Sequence, residues 1–315
     1  MSNLSHSTSL HVDMRDAFFN SLYEVIKFDK NVMVLTADHG AFGLNKIKEE
    51  FPDQYVNVGI AEQNMVSVAA GLALSGKIVY IYSIVNFITL RCLEQINIDI
   101  ASMYLHVNII GVGAGFTYCT DGPTHHGTQD VAIMSGIPNL TIYNCSDPVN
   151  TYAFANLGYE IEGPKYFRIE KGMVSKLYKQ NSFFKDGISE VKIGNDTYIL
   201  SSGILIHKAM KAARSYSKKG SEIGVIDLYR IKPINENLLI TILSNVKKLL
   251  IVEDNISPGG IAEKVQSILF RNKMDIKIEI LNIPEDFSFD YSNNRGWLED
   301  KFNLNVKNIL NKLTD

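Results

Sequence analysis

Apolar and polar positions along this chain follow two periods, and the two periods take turns. Val12, Phe18, Phe19, Leu22, Val25 and Ile26 recur at helical spacing, and Val32-Met33-Val34-Leu35 then reads as a buried strand. The cycle repeats with a strand over 55–58, a helix from Glu62 to about Leu74, and a strand over 77–82. A helix over about 86–103 and a strand over 107–111 come next. Further strands fall at 140–143 and 166–169, with Pro148 placed where a helix would begin. Regular alternation of this kind predicts a parallel sheet covered on both faces.

Residues 172–196 lose the rhythm and carry Lys185-Asp186-Gly187 and Gly194-Asn195-Asp196, so they read as a linker and the entry to a second domain. Alternation resumes with strands over 197–200, 223–227, 249–253 and 276–281, helices between them, and a helix near 303–313. The expected fold is α/β, with two consecutive domains of mainly parallel sheets over residues 1–178 and 179–315.

Composition narrows the class. Hydrophobic residues are 46% and charged residues 21% of 315, which fits a soluble globular protein. A net charge of −3 without a basic block makes neither nucleic acid nor an anionic membrane a natural partner. Cys92, Cys119 and Cys145 form no CxxC or metal-ligand spacing, so a reduced cytoplasmic chain with no metal site of its own is the simple expectation. The opening MSNLSHSTSL lacks the regions of a signal peptide. No apolar run approaches the ~20 residues that a membrane helix needs.

Two stretches carry chemistry. Gly59-Ile60-Ala61-Glu62-Gln63-Asn64-Met65 sets one carboxylate at a helix start, with the small residues Ala69, Ala70, Gly71 and Ala73 behind it. An acidic residue there is favoured by the helix dipole alone. The second stretch, 112–130, follows a strand end, where catalytic groups of parallel sheets concentrate. Its glycines allow close backbone approach, and Asp121, His125 and His126 supply acid–base groups. Taken singly, its glycines read as turn residues and its paired histidines as a solvated feature.

Together the stretches resemble the transketolase family of thiamine-diphosphate enzymes. Asp121-Gly122-Pro123-Thr124-His125 resembles the signature whose aspartate and histidine line the substrate channel, and Glu62 matches the glutamate that contacts the cofactor's aminopyrimidine. Thr36-Ala37-Asp38, Phe87 with the run 91–96, Val225 to Pro233, and Glu253-Asp254-Asn255 with Gly259-Gly260 extend the likeness over nearly the whole chain. The resemblance implies that Glu62 drives activation of the cofactor from a largely dry pocket, that Phe87 stacks on the pyrimidine, and that Asp38 stands at the ring or at a subunit contact. It further implies that His125 and Asp121, with His126 beside them, meet the substrate, and that Arg168 matches a phosphate-binding arginine. Gly113 and Ala114 stand where relatives place a cationic phosphate contact, which points away from ordinary sugar phosphates.

The family's Gly-Asp-Gly motif and downstream asparagine, which hold magnesium and the diphosphate, do not occur here. The resemblance therefore implies a split enzyme. This chain would be the pyrimidine-binding and C-terminal half, within a heterotetramer, and an N-terminal transketolase-type subunit would hold magnesium and the diphosphate. Carbonyl compounds would be the substrates. A 2-oxo acid dehydrogenase of the beta-chain type, a deoxyxylulose-phosphate synthase-like enzyme and a non-catalytic partner subunit remain open as alternatives.

Overall fold

A computed structural model describes residues 11–217, 222–291 and 294–314, without the side chains of His11, Val12 and Ser217. The opening stretch read for a leader lies outside the described residues.

Seven strands form the first sheet. In spatial order they are Arg230–Lys232, Thr141–Asn144, Lys165–Ile169, Val107–Val112, Ile78–Ile84, Val32–Thr36 and Tyr55–Asn57. All neighbours run parallel except the first pair. Successive side chains point to opposite faces, so each central strand feeds two cores. Leu35, Ile81, Ile109 and Tyr166 join one cluster, with Met65 and Val66 of the helix Glu62–Leu74. Val34, Tyr80, Ile110 and Phe167 join the other, with Phe18, Phe19 and Leu22 of the helix Met14–Phe28 and Phe154 of the helix Pro148–Glu160. Burial on both faces is why these strands read as continuous apolar runs.

The second sheet orders Lys277–Ile283, Lys248–Ile256, Thr197–Ser201, Gly224–Asp227 and Ser189–Lys192, parallel but for the last. The two halves are not cleanly separable, because Arg230–Lys232 lends the first sheet its edge strand. The stretch read as an irregular linker also contributes structure. Met173–Ser175 pairs with His11–Asp13, which removes Val12 from the first helix, and Ser189–Lys192 edges the second sheet.

The single helix expected over 86–103 is broken. It divides into Val85–Ile88, Leu93–Gln95 and a π-helical turn Ile96–Ala101. Thr89 caps the first segment: its N–H and its hydroxyl both donate to the Val85 carbonyl, at 2.9 and 2.7 Å, and such back-bonding by threonine bends helices. Among the described residues no helix is long and apolar enough to cross a membrane. The parallel strands align their carboxyl ends on one edge, which gathers Asp38, Glu62, Phe87 and the 113–130 loop there.

Candidate active site

Glu62 opens its helix and is only 3% exposed. The free N–H groups of a helix start favour a carboxylate at that place. Its Oε2 accepts a hydrogen bond from Arg91 Nη1 at 2.6 Å. The same guanidinium lies 4.2 Å from the centroid of the Phe87 ring. Phe87 meets His125 edge-on with centroids 4.9 Å apart, and Tyr118 meets His125 at 5.7 Å. The fold thus brings together Glu62, Phe87 and His125, three residues that lie far apart in the chain.

One amide holds the loop that carries His125. Asn86 Nδ2 donates to the carbonyls of Pro123, Thr124 and His126 at 3.3, 3.1 and 3.1 Å. Gly115 and Gly127 exchange backbone bonds of 2.9 and 2.8 Å, closing the loop on itself. Gly113 adopts φ 106°, and a Cβ on it would lie 2.4 Å from Tyr118. Tyr118 therefore fills the space that a longer side chain at 113 would need. His125 Nδ1 pairs with Thr124 Oγ1 at 2.9 Å, while Asp121 stands exposed at the rim and accepts from Thr120 Oγ1 at 2.9 Å.

Asp38 is exposed at the next strand end, with φ 54°. Asn57 brackets it, accepting from the Asp38 N–H at 3.0 Å and donating to the Asp38 carboxylate at 3.2 Å. His39, beside it, was not singled out from sequence. Its burial, then the nearby cations of Arg15 and Lys171, push its imidazole down to about 4, against the pull of Glu62. Lys171 holds its Nζ 5.1 Å from the Tyr118 ring centroid, so cationic groups do border the site, from elements other than the glycine loop. Asn86, His39 and the Arg91–Glu62 pair were missed. The one legible signal was the spacing of Phe87 and Arg91, four residues apart, which would share a face of the single helix expected over 86–103.

Two expected site residues stand elsewhere. His126 is 5% exposed and turns against Phe116 at 5.1 Å, and Phe116 stacks at 5.1 Å on Phe302 of the second domain. It lines a crevice of about 10 Å³ with Asp286, Phe287 and Ser288, which is room for roughly one water. Burial and the adjacent His125 push its pKa down. The His126 ring therefore belongs to the domain contact, facing Phe116.

Arg168 is 0% exposed, and each of its three guanidinium nitrogens is hydrogen-bonded within the protein. Nε bonds Asp130 at 2.8 Å, Nη1 bonds Asp254 at 2.8 Å, and Nη2 bonds the Gly127 carbonyl at 2.6 Å. Burial works against this cation, yet Asp130 and Asp254 outweigh it and hold its pKa above the usual arginine value. The expectation that it meets a substrate phosphate is corrected: it pins the chemistry-bearing loop to the second domain. Among the described residues no group of three or more His, Cys, Asp or Glu side chains is placed to hold a metal ion.

Comparison with known proteins identifies the family. Residues 11–176 match the family model of the transketolase pyrimidine binding domain, and residues 187–309 match that of the transketolase C-terminal domain. An apulose-4-phosphate transketolase subunit from Phocaeicola vulgatus is 30% identical, over 86% of this chain and 88% of that one. A 6-deoxy-6-sulfo-D-fructose transketolase subunit from a Clostridium species is 27% identical, over 94% of this chain and 92% of its own length. Among solved structures, a split-gene transketolase described as an inactive β4 tetramer superposes with a TM-score of 0.86 at 27% identity, covering 95% of this chain and 96% of that one. The two matched domains span most of a sequence whose strand ends assemble Glu62, Phe87 and His125, and the chain belongs to the transketolase family.

Proposed function

We propose that this chain is the C-terminal subunit of a two-component, thiamine-diphosphate-dependent transketolase that moves a two-carbon ketol unit between carbonyl compounds. The observation that carries the reading is that one group bridges the buried Glu62 carboxylate and the half-buried Phe87 ring. One flat, N–H-bearing group, the Arg91 guanidinium, reaches both at once, at 2.6 Å and 4.2 Å. A ring with a polar edge fits the same two contacts, so the residues present suit an aminopyrimidine. When bound, the cofactor supplies a nucleophilic carbon that attacks the donor carbonyl and stores the electron pair.

The rest of the chemistry on this side belongs to the protein. Glu62 hydrogen-bonds the edge of the ring and is the acid–base group on that side. Phe87 fixes the plane of the ring. His125, held by Thr124, hydrogen-bonds the substrate oxygen at the reacting carbon, and Asp121 orients a hydroxyl from the rim. Asp38 closes the strand edge beside the ring or at a subunit contact. Magnesium and the diphosphate belong, in this reading, to an N-terminal transketolase-type partner, within a heterotetramer. Support comes from relatives of similar length that are described as subunits, and from the β4 tetramer described as inactive. Those relatives act on a phosphorylated and a sulfonated sugar, which makes an anionic sugar the substrate class to try first.

The test uses the chain with and without its partner. The chain alone is expected to show no turnover, and the complex to turn over with thiamine diphosphate and magnesium. In the complex, Glu62→Gln should slow proton exchange at the cofactor's reactive carbon by at least ~100-fold, the lower range for an acid–base group. Exchange at the wild-type rate would leave Glu62 as a helix-start residue only.

A further inference from the structure

The two contacts assigned above to the ring are already made in this structure, and Arg91 makes them. A guanidinium is a flat, delocalised cation with donors in its plane, able both to cover an aromatic face and to bond a carboxylate. Arg91 does both, 4.2 Å from the Phe87 centroid and 2.6 Å from Glu62 Oε2. We propose that Arg91 is a built-in occupant of the pyrimidine site, which pairs with Glu62 and covers Phe87 until the cofactor's ring displaces it. The proposal rests on the reading of Glu62 and Phe87 given under Proposed function.

Three features favour an occupant over a permanent clamp. Glu62 is 3% exposed, and a buried carboxylate left without a partner is costly, so the empty site needs a counter-charge. Arg91 is not equally committed, since its side chain is 43% exposed and can return to water. It also stands where the helix is interrupted, between Val85–Ile88 and Leu93–Gln95. Its N–H there bonds the Asn86 carbonyl five residues back, at 3.3 Å, in place of the regular helical bond. Local i→i+5 bonding of this kind recurs at functional sites.

The two roles predict opposite signs. A clamp, once removed, lowers both the stability of the chain and its affinity for the ring. Removing an occupant lowers the stability of the empty chain but raises its affinity, because the ring no longer competes. The experiment titrates thiamine itself, which lacks the diphosphate, into the purified full chain and follows binding by ligand-observed NMR. Thermal melts of the unliganded proteins run alongside.

Arg91→Met is expected to bind thiamine about 5- to 10-fold more tightly than wild type, tenfold being 1.4 kcal/mol, and to melt at a lower temperature. Arg91→Lys, which keeps the charge but loses the flat fork, should fall between them. Glu62→Gln should weaken binding. If Glu62→Gln weakens binding while Arg91→Met binds equally or less tightly than wild type, the occupant idea is overturned and the reading of Glu62 stands. If wild type, Arg91→Met and Glu62→Gln all bind alike, or none binds at millimolar thiamine, the cofactor reading falls and takes this proposal with it. Should Arg91→Met fail to fold, Arg91→Gln and Arg91→Lys carry the same comparison.

Discussion

Replacing Arg168 by Met tests whether the charge network between the domains is structural. The side chain is 0% exposed and bonds Asp130, Asp254 and the Gly127 carbonyl at 2.8, 2.8 and 2.6 Å. Asp130 is itself 0% exposed and keeps only the Tyr166 hydroxyl, at 2.7 Å, among the hydrogen bonds to that oxygen once the arginine is gone. Asp254 keeps a longer contact with Arg295, 3.8 Å away. Removing one partner of a buried ion pair costs about 3–5 kcal/mol, and the lost bond to the Gly127 carbonyl, which keeps its bond from the Gly115 N–H, adds about 0.5–1.5 kcal/mol. The sum is a large share of the ~5–15 kcal/mol that holds a typical domain together. Urea titration followed by circular dichroism should show a much lower midpoint for Arg168→Met. Because the loss is mostly uncompensated charge, adding Asp130→Asn should restore part of it. A phosphate-binding role predicts the reverse pattern, with stability kept and KM for a phosphorylated substrate raised. Stability within about 1 kcal/mol of wild type would refute the structural assignment.

Other outcomes follow from the same contacts. Lys165 is 1% exposed, and burial pushes its amine down from 10.5 to about 7, so between about pH 7 and 10.5 the unfolded chain binds more protons and stability rises with pH. Lys165→Met should therefore be more heat-stable at pH 7 and flatten that rise; parallel melting curves against pH for the two proteins would exclude the effect. Asn86→Ala removes the donor shared by three carbonyls of the 113–130 loop and should cost about 2 kcal/mol, with a fall in turnover of the complex of at least ~10-fold; unchanged turnover would deny it a part in the reaction. Lys171→Met should lower kcat/KM for a phosphorylated ketose donor by ~10-fold or more, the worth of one charge-assisted bond, and affect hydroxypyruvate less. Equal losses for both donors would show that Lys171 does not read the phosphate.

The fold was legible because both cores of the first sheet are fed by uninterrupted apolar strands. Tyr80 with Ile81, or Tyr166 with Phe167, satisfies opposite faces from adjacent positions, and that burial leaves a plain run in the sequence. The helix from Glu62 to about Leu74 was placed for a similar reason, with a strand end and a glycine ahead of it, and it spans Glu62–Leu74. The break at Thr89 was not legible. A threonine inside an apolar run is ordinary, and its bond to Val85 and the side-chain bonds of Asn86 to the 123–126 backbone become visible only in the structure. Arg230–Lys232 was read with the second domain because sequence order says nothing about which sheet an edge strand will join.

The candidate site divides along the same line. The placement of Glu62 at a helix start and of Asp121 and His125 in a strand-end loop was legible, because residue identity and local setting carry that signal. Arg168 and His126 were misplaced because their roles depend on what lies across the domain contact. His125 and His126 are adjacent, yet one faces Phe87 and the other faces Phe116. Arg168 looks like an anion-binding residue until Asp130 and Asp254 arrive, from 38 and 86 residues away, to use it up. Charge alone therefore could not distinguish Arg168 from Lys171. Their surroundings do: the arginine is enclosed by carboxylates, whereas the lysine lies exposed over Tyr118 beside the site. A substrate anion can be attracted only by a cation whose charge is not already neutralised, so specificity for an anionic sugar should be sought at Lys171 rather than at Arg168.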